Sequence, residues 1–309
     1  MRPPIERSAQ PPVPQPPPEP TWKTIVRLLR WDKPAGRLIL MVPALWAVFL
    51  ATLSVGQRFP ELPLIGVIVL GTLATSAGGC VVNDLWDRDI DDKVERTKNR
   101  PLAAKSLSVK LGIAIAFVAF LCAWGLSFYL KPLSFWLCVA AVPVIVLYPL
   151  AKRVFPVPQL VLSIAWGFAV LICWSAVTGT LEFATWLLWG ATVLWTLGFD
   201  TVYAIPDRDY DRQLGINSSA LFFGPRAPQA VGFFFVGTVL LLGWLGITMP
   251  LGLVYWLTLA VAAYFWYRQY RQLAARPKSP KVFGNIFQQN VTIGFLLLIG
   301  MAFSVTFGI

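Results

Sequence analysis

Apolar residues recur in long runs along the chain, and the short stretches between them hold most of the charge. Each run has roughly the 17–25 residues an α-helix needs to cross a bilayer. They predict spans near 38–56, 62–83, 109–130, 133–150, 159–178, 183–205, 229–249, 251–268 and 286–308. Pro132 and Pro250 mark tight turns between neighbouring runs. In lipid, backbone polar groups must be satisfied within the chain, so the prediction is an all-α, polytopic membrane protein. The first 20 residues hold nine prolines and no apolar core. They predict an extended or disordered tail rather than a signal peptide. The expected organisation is a proline-rich tail over 1–21 and one membrane domain over 22–309.

Composition agrees with lipid as solvent. Of 309 residues, 57% are hydrophobic and 13% are charged, against about 25% charged in a soluble domain. Mean hydropathy is +0.65. The basic residues then set orientation. With a cytoplasmic N-terminus and alternating spans, 24 of the 26 Lys and Arg face the cytoplasm, and only Arg58 and Lys131 face the other side. This is a strong positive-inside asymmetry. The net charge of +11 therefore sets topology and attracts anions and lipid head groups, with no nucleic acid implied.

The chain contains no His. That excludes His-based acid–base chemistry, Ser-His or Cys-His nucleophiles and His-ligated metals. Cys80, Cys122, Cys138 and Cys173 lie far apart in apolar segments and read as small packing residues.

The acids are concentrated. Nine of the ten Asp residues fall in two clusters, at 84–92 and 200–211, each at the cytoplasmic end of a predicted span. On a continuing helix, Asp84, Asp87 and Asp91 share a face, while Asp89 points away by about 140°. In the second cluster, Asp207 and Asp211 share a face and Asp209 turns away. Asp200 and Tyr203 extend that face inward if Pro206 only kinks the helix. Stacked carboxylates repel, and at this density they are usually held by cations. Two all-oxygen clusters on one side of the membrane suit Mg2+, which bridges a few carboxylates to substrate phosphates. At the end of the fourth span, Tyr148 and Lys152 share a helix face with Arg153 adjacent, offering donors for a diphosphate. In the basic stretch Arg88, Lys93, Arg96, Lys98 and Arg100, within and after the first cluster, Arg100 is the preferred anion donor.

These motifs resemble the UbiA superfamily of intramembrane aromatic prenyltransferases over about 22–309. Asn83, Asp84, Asp87 and Asp91 match NDxxDxxxD, Asp207 and Asp211 match DxxxD, and Tyr148 and Lys152 match YxxxK. The flanks GCVVND, RTKNRPL, DTVYA and RWDKPAG look most like the 4-hydroxybenzoate polyprenyltransferase branch, in its cyanobacterial form. The resemblance implies nine transmembrane helices around a central cavity with a cytoplasmic cap, in a bacterial cytoplasmic membrane. It implies Mg2+ held by Asn83, Asp84, Asp87, Asp91, Asp207 and Asp211. Lys152, Tyr148, Arg153, Arg88 and Arg100 would bind diphosphate.

By the same resemblance, the reaction transfers a polyprenyl group from polyprenyl diphosphate to the carbon ortho to the hydroxyl of 4-hydroxybenzoate, for quinone biosynthesis. Asp87 and Asp211 would serve catalysis through the ion, and Asp207 would take or orient a proton. Arg37, Asp200 and Tyr203 are candidates for contact with the aromatic substrate. Many members of the branch carry Arg seven residues before the motif's Asn. Here that position is Ser76, and Arg37 in the first span is expected to compensate. The alternatives are a branch with a naphthoate, homogentisate, chlorophyllide or haem acceptor, and, in a different class, a cation transporter. The transporter expects acids deep in several spans, and here only Asp200 sits clearly deep.

Overall fold

The computed structural model describes residues 19–275, 279 and 281–308. The tail predicted over 1–21 lies, up to residue 18, outside the described residues. Among the described residues every regular element is helical. In chain order these are α1 (Thr21–Leu28), α2 (Ala35–Ser54), α3 (Leu62–Asp91), α4 (Val109–Ser127), α5 (Pro132–Leu147), α6 (Ala151–Val154), α7 (Pro158–Thr178), α8 (Phe183–Ala204), α9 (Arg208–Leu214), α10 (Ser219–Phe223), α11 (Ala227–Thr248), α12 (Leu253–Ala274) and α13 (Lys281–Phe307).

Seven segments are long and apolar enough to cross a membrane: α2, α3, α4, Pro132–Val154, α7, Ser219–Thr248 and α13. The protein is thus an integral membrane protein. The two other predicted spans correspond to α8 and α12, each 22 residues long. They fall outside the seven because polar residues interrupt them, including Thr192, Thr196, Asp200 and Thr201 in α8 and Arg268, Gln269 and Arg271 in α12.

Proline shapes the helix ends. α5 and α7 start on Pro132 and Pro158, where a missing N–H costs nothing. Pro149 and Pro206 lie in 3-10 turns, Tyr148–Leu150 and Ile205–Asp207, each leading into a short helix, α6 and α9. The same device thus redirects the chain just before Lys152 and just before Asp211. Gly215, at φ 67°, ends α9 in the left-handed conformation. The chain then turns back, and the Asn217 N–H donates to the Lys152 carbonyl at 2.7 Å.

The main core joins α2, α7, α8, α11, α12 and α13 through large side chains, including Trp46, Trp174, Trp195, Phe199, Phe235 and Trp266. Trp46 and Trp195 stack with ring centroids 5.0 Å apart. α8 approaches α11 closely because position 198 is Gly; a Cβ there would sit 2.6 Å from the Phe235 ring. Small residues at such crossings let backbones approach in lipid, where packing rather than the hydrophobic effect holds helices together. A second cluster, with Val81, Leu102 and Leu28, packs α1, α3 and the following loop above α4. Both acid clusters stand at one edge of these layers.

Candidate active site

Helical spacing sorts the first cluster as expected. Asp84, Asp87 and Asp91 are all buried, at 1%, 5% and 5% exposure. The side chain of Asp89 is 82% exposed. Three buried carboxylates on one face need partners, and the surrounding chain supplies cations. The Arg30 Nη2 lies 2.6 Å from Asp84 Oδ1, and the Arg100 Nη1 lies 3.3 Å from the same oxygen. Arg100 also pairs with Asp91 at 2.7 Å, and the Lys152 Nζ with Asp87 at 2.7 Å. Tyr148 donates its hydroxyl to Asn83 Oδ1 at 3.2 Å, and Asn83 Nδ2 donates to Asp87 at 3.2 Å.

Arg96, from the loop after the first cluster, reaches the second. Its Nε donates to Asp207 Oδ2 at 3.1 Å and its Nη1 to the Tyr203 hydroxyl at 2.8 Å. Its guanidinium also lies over the Tyr203 ring, 4.8 Å from the centroid. Burial pushes the Asp211 carboxyl up to about 6, opposed by a hydrogen bond from Ser218. Asp209 turns away, with its side chain 74% exposed.

Asp87 and Asp91 of the first cluster and Asp207 and Asp211 of the second line one polar cavity of about 240 Å³, together with Asn83, Lys152, Gln159 and Ser218, while Asp84 lines neither this cavity nor the larger one beside it. Asp200, Tyr203, Asp207 and Asp211 all line the polar cavity, so Pro206 kinks the helix without breaking the shared face. Beside it lies a cavity of about 1210 Å³. Arg30, Lys33, Arg37 and Arg100 line this larger space, along with the apolar Leu40, Trp166, Phe199 and Phe287. Arg96, Arg100, Tyr148, Leu162, Asp200 and Tyr203 line both cavities and so form their junction.

Two predicted residues stand elsewhere. Arg88 pairs with its exposed neighbour Asp89 at 3.1 Å, and Arg153 donates to the Trp86 carbonyl at 2.7 Å. Neither lines either of these two cavities. Adjacency to a motif in sequence gives them no common direction with it on the helix. Arg30 and Arg96 take their place as cations on the acids. Arg96 lies in the stretch RTKNRPL and Arg30 in RWDKPAG, but nothing in the spacing singles them out. Arg30 is in the left-handed conformation at φ 59°. Its N–H bonds back to Arg27 and that of Trp31 to Val26, which closes α1 and turns the Arg30 side chain onto Asp84.

The all-oxygen donor set suits a hard divalent ion. Asp84 Oδ2 and Asp87 Oδ1 are buried with no hydrogen-bond partner, which leaves two carboxylate oxygens for a ligand. Among the described residues, no three acids gather closely enough to cage an ion by themselves. Mg2+ does not require that: it commonly takes one or two carboxylates and completes its shell with water and substrate phosphate.

Residues 40–291 match the UbiA prenyltransferase family. The chain is 68% identical over 282 residues to a 4-hydroxybenzoate solanesyltransferase of a Synechocystis species, covering 91% of this chain and 95% of that one. It is 38% identical over 284 residues to a 4-hydroxybenzoate octaprenyltransferase of Yersinia pseudotuberculosis, covering 92% and 96%. Among solved structures it resembles an apo UbiA homologue of Aeropyrum pernix, with TM-score 0.75, 25% identity and 86% of this chain and 96% of that one covered. The fold also matches a UbiA homologue of Archaeoglobus fulgidus bound to DMAPP and Mg2+, with TM-score 0.67, 19% identity and coverage of 89% and 99%. Sequence, fold and the facing acid clusters agree, and the chain belongs to the UbiA prenyltransferase family.

Proposed function

We propose that this protein transfers a polyprenyl group from polyprenyl diphosphate to the ring carbon ortho to the hydroxyl of 4-hydroxybenzoate, releasing diphosphate. The observation that carries this is the pair of joined cavities: one polar and ringed by acids, the other larger, with a basic side and an apolar side. The relatives named for 4-hydroxybenzoate as acceptor match over most of this chain. The first space fits a metal diphosphate, the second a prenyl chain and an aromatic acid.

Asn83, Asp84, Asp87, Asp91, Asp207 and Asp211 would hold Mg2+, which when bound neutralises charge on the diphosphate. Lys152, Tyr148, Arg100 and Arg96 face the same space and donate to its oxygens as negative charge grows on the leaving group. The C–O bond breaks with its electron pair leaving on diphosphate. The allylic cation is then attacked by the ring carbon, and the ring proton departs. Asp207 is the expected proton acceptor, but Arg96 already holds it. Asp200 lines both cavities and has no ion pair or hydrogen bond among the described residues. We assign the proton to Asp200 and a holding role to Asp207.

We further propose that α8 and α12 cross the membrane with the other seven. The result is nine spans, a cytoplasmic N-terminus and a cap formed by the loops that carry the acid motifs, in a bacterial cytoplasmic membrane. The runner-up acceptors are a naphthoate, homogentisate, chlorophyllide or haem.

The test uses membranes containing the full chain, labelled 4-hydroxybenzoate and prenyl diphosphates of several lengths, with and without Mg2+. Mg2+-dependent labelling of a prenylated phenolic acid is expected. No prenylation of any phenolic acid would sink the proposal.

A further inference from the structure

The cations around the larger cavity are mostly spoken for. Arg27 pairs with Glu19, Arg30 with Asp84, Arg96 with Asp207, and Arg100 with Asp91 and Asp84. Arg37 is the exception among the buried ones. It is 8% exposed, lines the larger cavity but not the polar one, and has no acidic partner among the described residues. Its Nε is buried with no hydrogen-bond partner. Asp32 and Cys80 are close enough to act on it through space, yet neither makes an ion pair with it.

An uncompensated buried guanidinium is costly. Here the cost is accompanied by preorganisation. Arg37 Nη2 donates to the Leu29 carbonyl, and the guanidinium lies 5.4 Å from the centroid of the Trp31 ring. The side chain is thus held on one edge while Nε stays free. Such a fork suits an anion brought by a ligand. The diphosphate belongs to the other cavity, where the acids and Lys152 lie. The remaining anion in the reaction is the carboxylate of the acceptor. Trp166, Phe199 and Phe287 line the same cavity as an apolar wall for a ring, and Asp200 stands at its junction with the polar site.

We propose that Arg37 binds the carboxylate of the aromatic acceptor and so restricts the acceptor class to ring acids. This rests on the reading of the reaction given above. Ser76 lines the same cavity from α3 with a neutral hydroxyl, so α2 rather than α3 carries the anchor.

The test compares wild type, Arg37→Ala, Arg37→Lys and the double variant Arg37→Ala with Ser76→Arg. Removing one charge-assisted contact should raise the KM for 4-hydroxybenzoate roughly 10- to 100-fold, with donor KM within about twofold. Arg37→Lys should fall between, since an ammonium lacks the fork. Ser76→Arg should recover part of the loss by returning a guanidinium to the same cavity. Wild type should prefer the acid over its methyl ester, and Arg37→Ala should lose that preference. An unchanged acceptor KM, equal rises for both substrates, or a wild type that accepts acid and ester alike would each overturn the assignment. Equilibrium binding of labelled 4-hydroxybenzoate to purified protein in detergent separates the two readings. Arg37-dependent binding without turnover would sink the reaction and leave the anchor standing. Turnover with Arg37-independent binding would do the reverse.

Discussion

The Lys152 ammonium lies 2.7 Å from one oxygen of Asp87, while the other oxygen of that carboxylate is buried without a partner. The chain neutralises half of the carboxylate and leaves the other half unsatisfied. Lys152→Ala should therefore destabilise the ion-free protein. A buried pair loses several kcal/mol when one partner goes, but Lys152 keeps 19% of its side chain exposed, so about 1–2 kcal/mol is expected. Thermal melts in detergent check this. Mg2+ should restore more stability to the variant than to wild type, because it substitutes for the lost ammonium. Equal Mg2+ increments would remove Asp87 from the ion site.

Asp87→Asn and Asp211→Asn remove a charge from each cluster while keeping shape. Each should lower kcat/KM by roughly 1000-fold or more, the scale of losing a principal electrostatic contact in a dry site. The melting temperature should stay near wild type or rise for Asp211→Asn, where buried like charge is relieved, and fall slightly for Asp87→Asn, which leaves Lys152 without its partner. Retained turnover in either variant would show that its carboxylate is not needed to hold the ion.

Arg96, from the loop after the first cluster, grips Asp207 and Tyr203 of the second at once. Arg96→Lys keeps the charge and loses the fork, so it cannot make both contacts in one plane. The expected result is a fall in kcat of roughly 10- to 100-fold, with protein yield unchanged. Full activity in the lysine variant would mean that charge alone matters there.

How much of this is legible in the sequence depends on how local each signal is. The burial of Asp84, Asp87 and Asp91, and the exposure of Asp89, follow from a single helical period. Asp207 and Asp211 keep their predicted face because Pro206 adds only a short 3-10 turn. Arg30 escapes a sequence reading because its contact depends on a left-handed residue that ends α1, a conformation costing a non-glycine residue about 1–2 kcal/mol and therefore not expected there. Arg88 and Arg153 are adjacent to motifs in sequence, yet their neighbours Asp89 and Trp86 take them. The cavity junction at Asp200 needs several helices to meet, which no one-dimensional pattern records. The α8 and α12 runs have the length of spans although Thr, Asp, Gln and Arg interrupt them.

Asp200→Asn tests the proton assignment. The amide keeps the size and some of the hydrogen bonding of the carboxylate but cannot take the ring proton. kcat should fall by roughly 100- to 10,000-fold, the usual worth of general base catalysis, with both KM values within about threefold. Asp207→Asn should instead raise the donor KM and its Mg2+ requirement. The reverse pattern would return the proton to Asp207.

Asn290 supplies the control for stability without chemistry. Its Oδ1 accepts from the Trp195 and Trp266 indoles at 2.8 and 2.9 Å, and its Nδ2 donates to Gln269 Oε1 at 3.1 Å. The contacts bind α13 to α8 and α12 inside the main core, and Asn290 is fully buried. Asn290→Leu keeps the volume but strands two indole N–H groups. Each unmet buried donor costs about 1–3 kcal/mol, reduced in lipid to about 0.6–2 because alternative partners exist. The net loss should be about 1–4 kcal/mol, read as a lower melting temperature in detergent, with KM values for both substrates unchanged below the melt. Asn290→Asp keeps the acceptor oxygen for both indoles but places a carboxylate against Gln269 Oε1, so it should not rescue the loss. A leucine variant as stable as wild type would mean that packing among Trp46, Trp195 and Trp266, rather than the polar contacts, holds the three helices together.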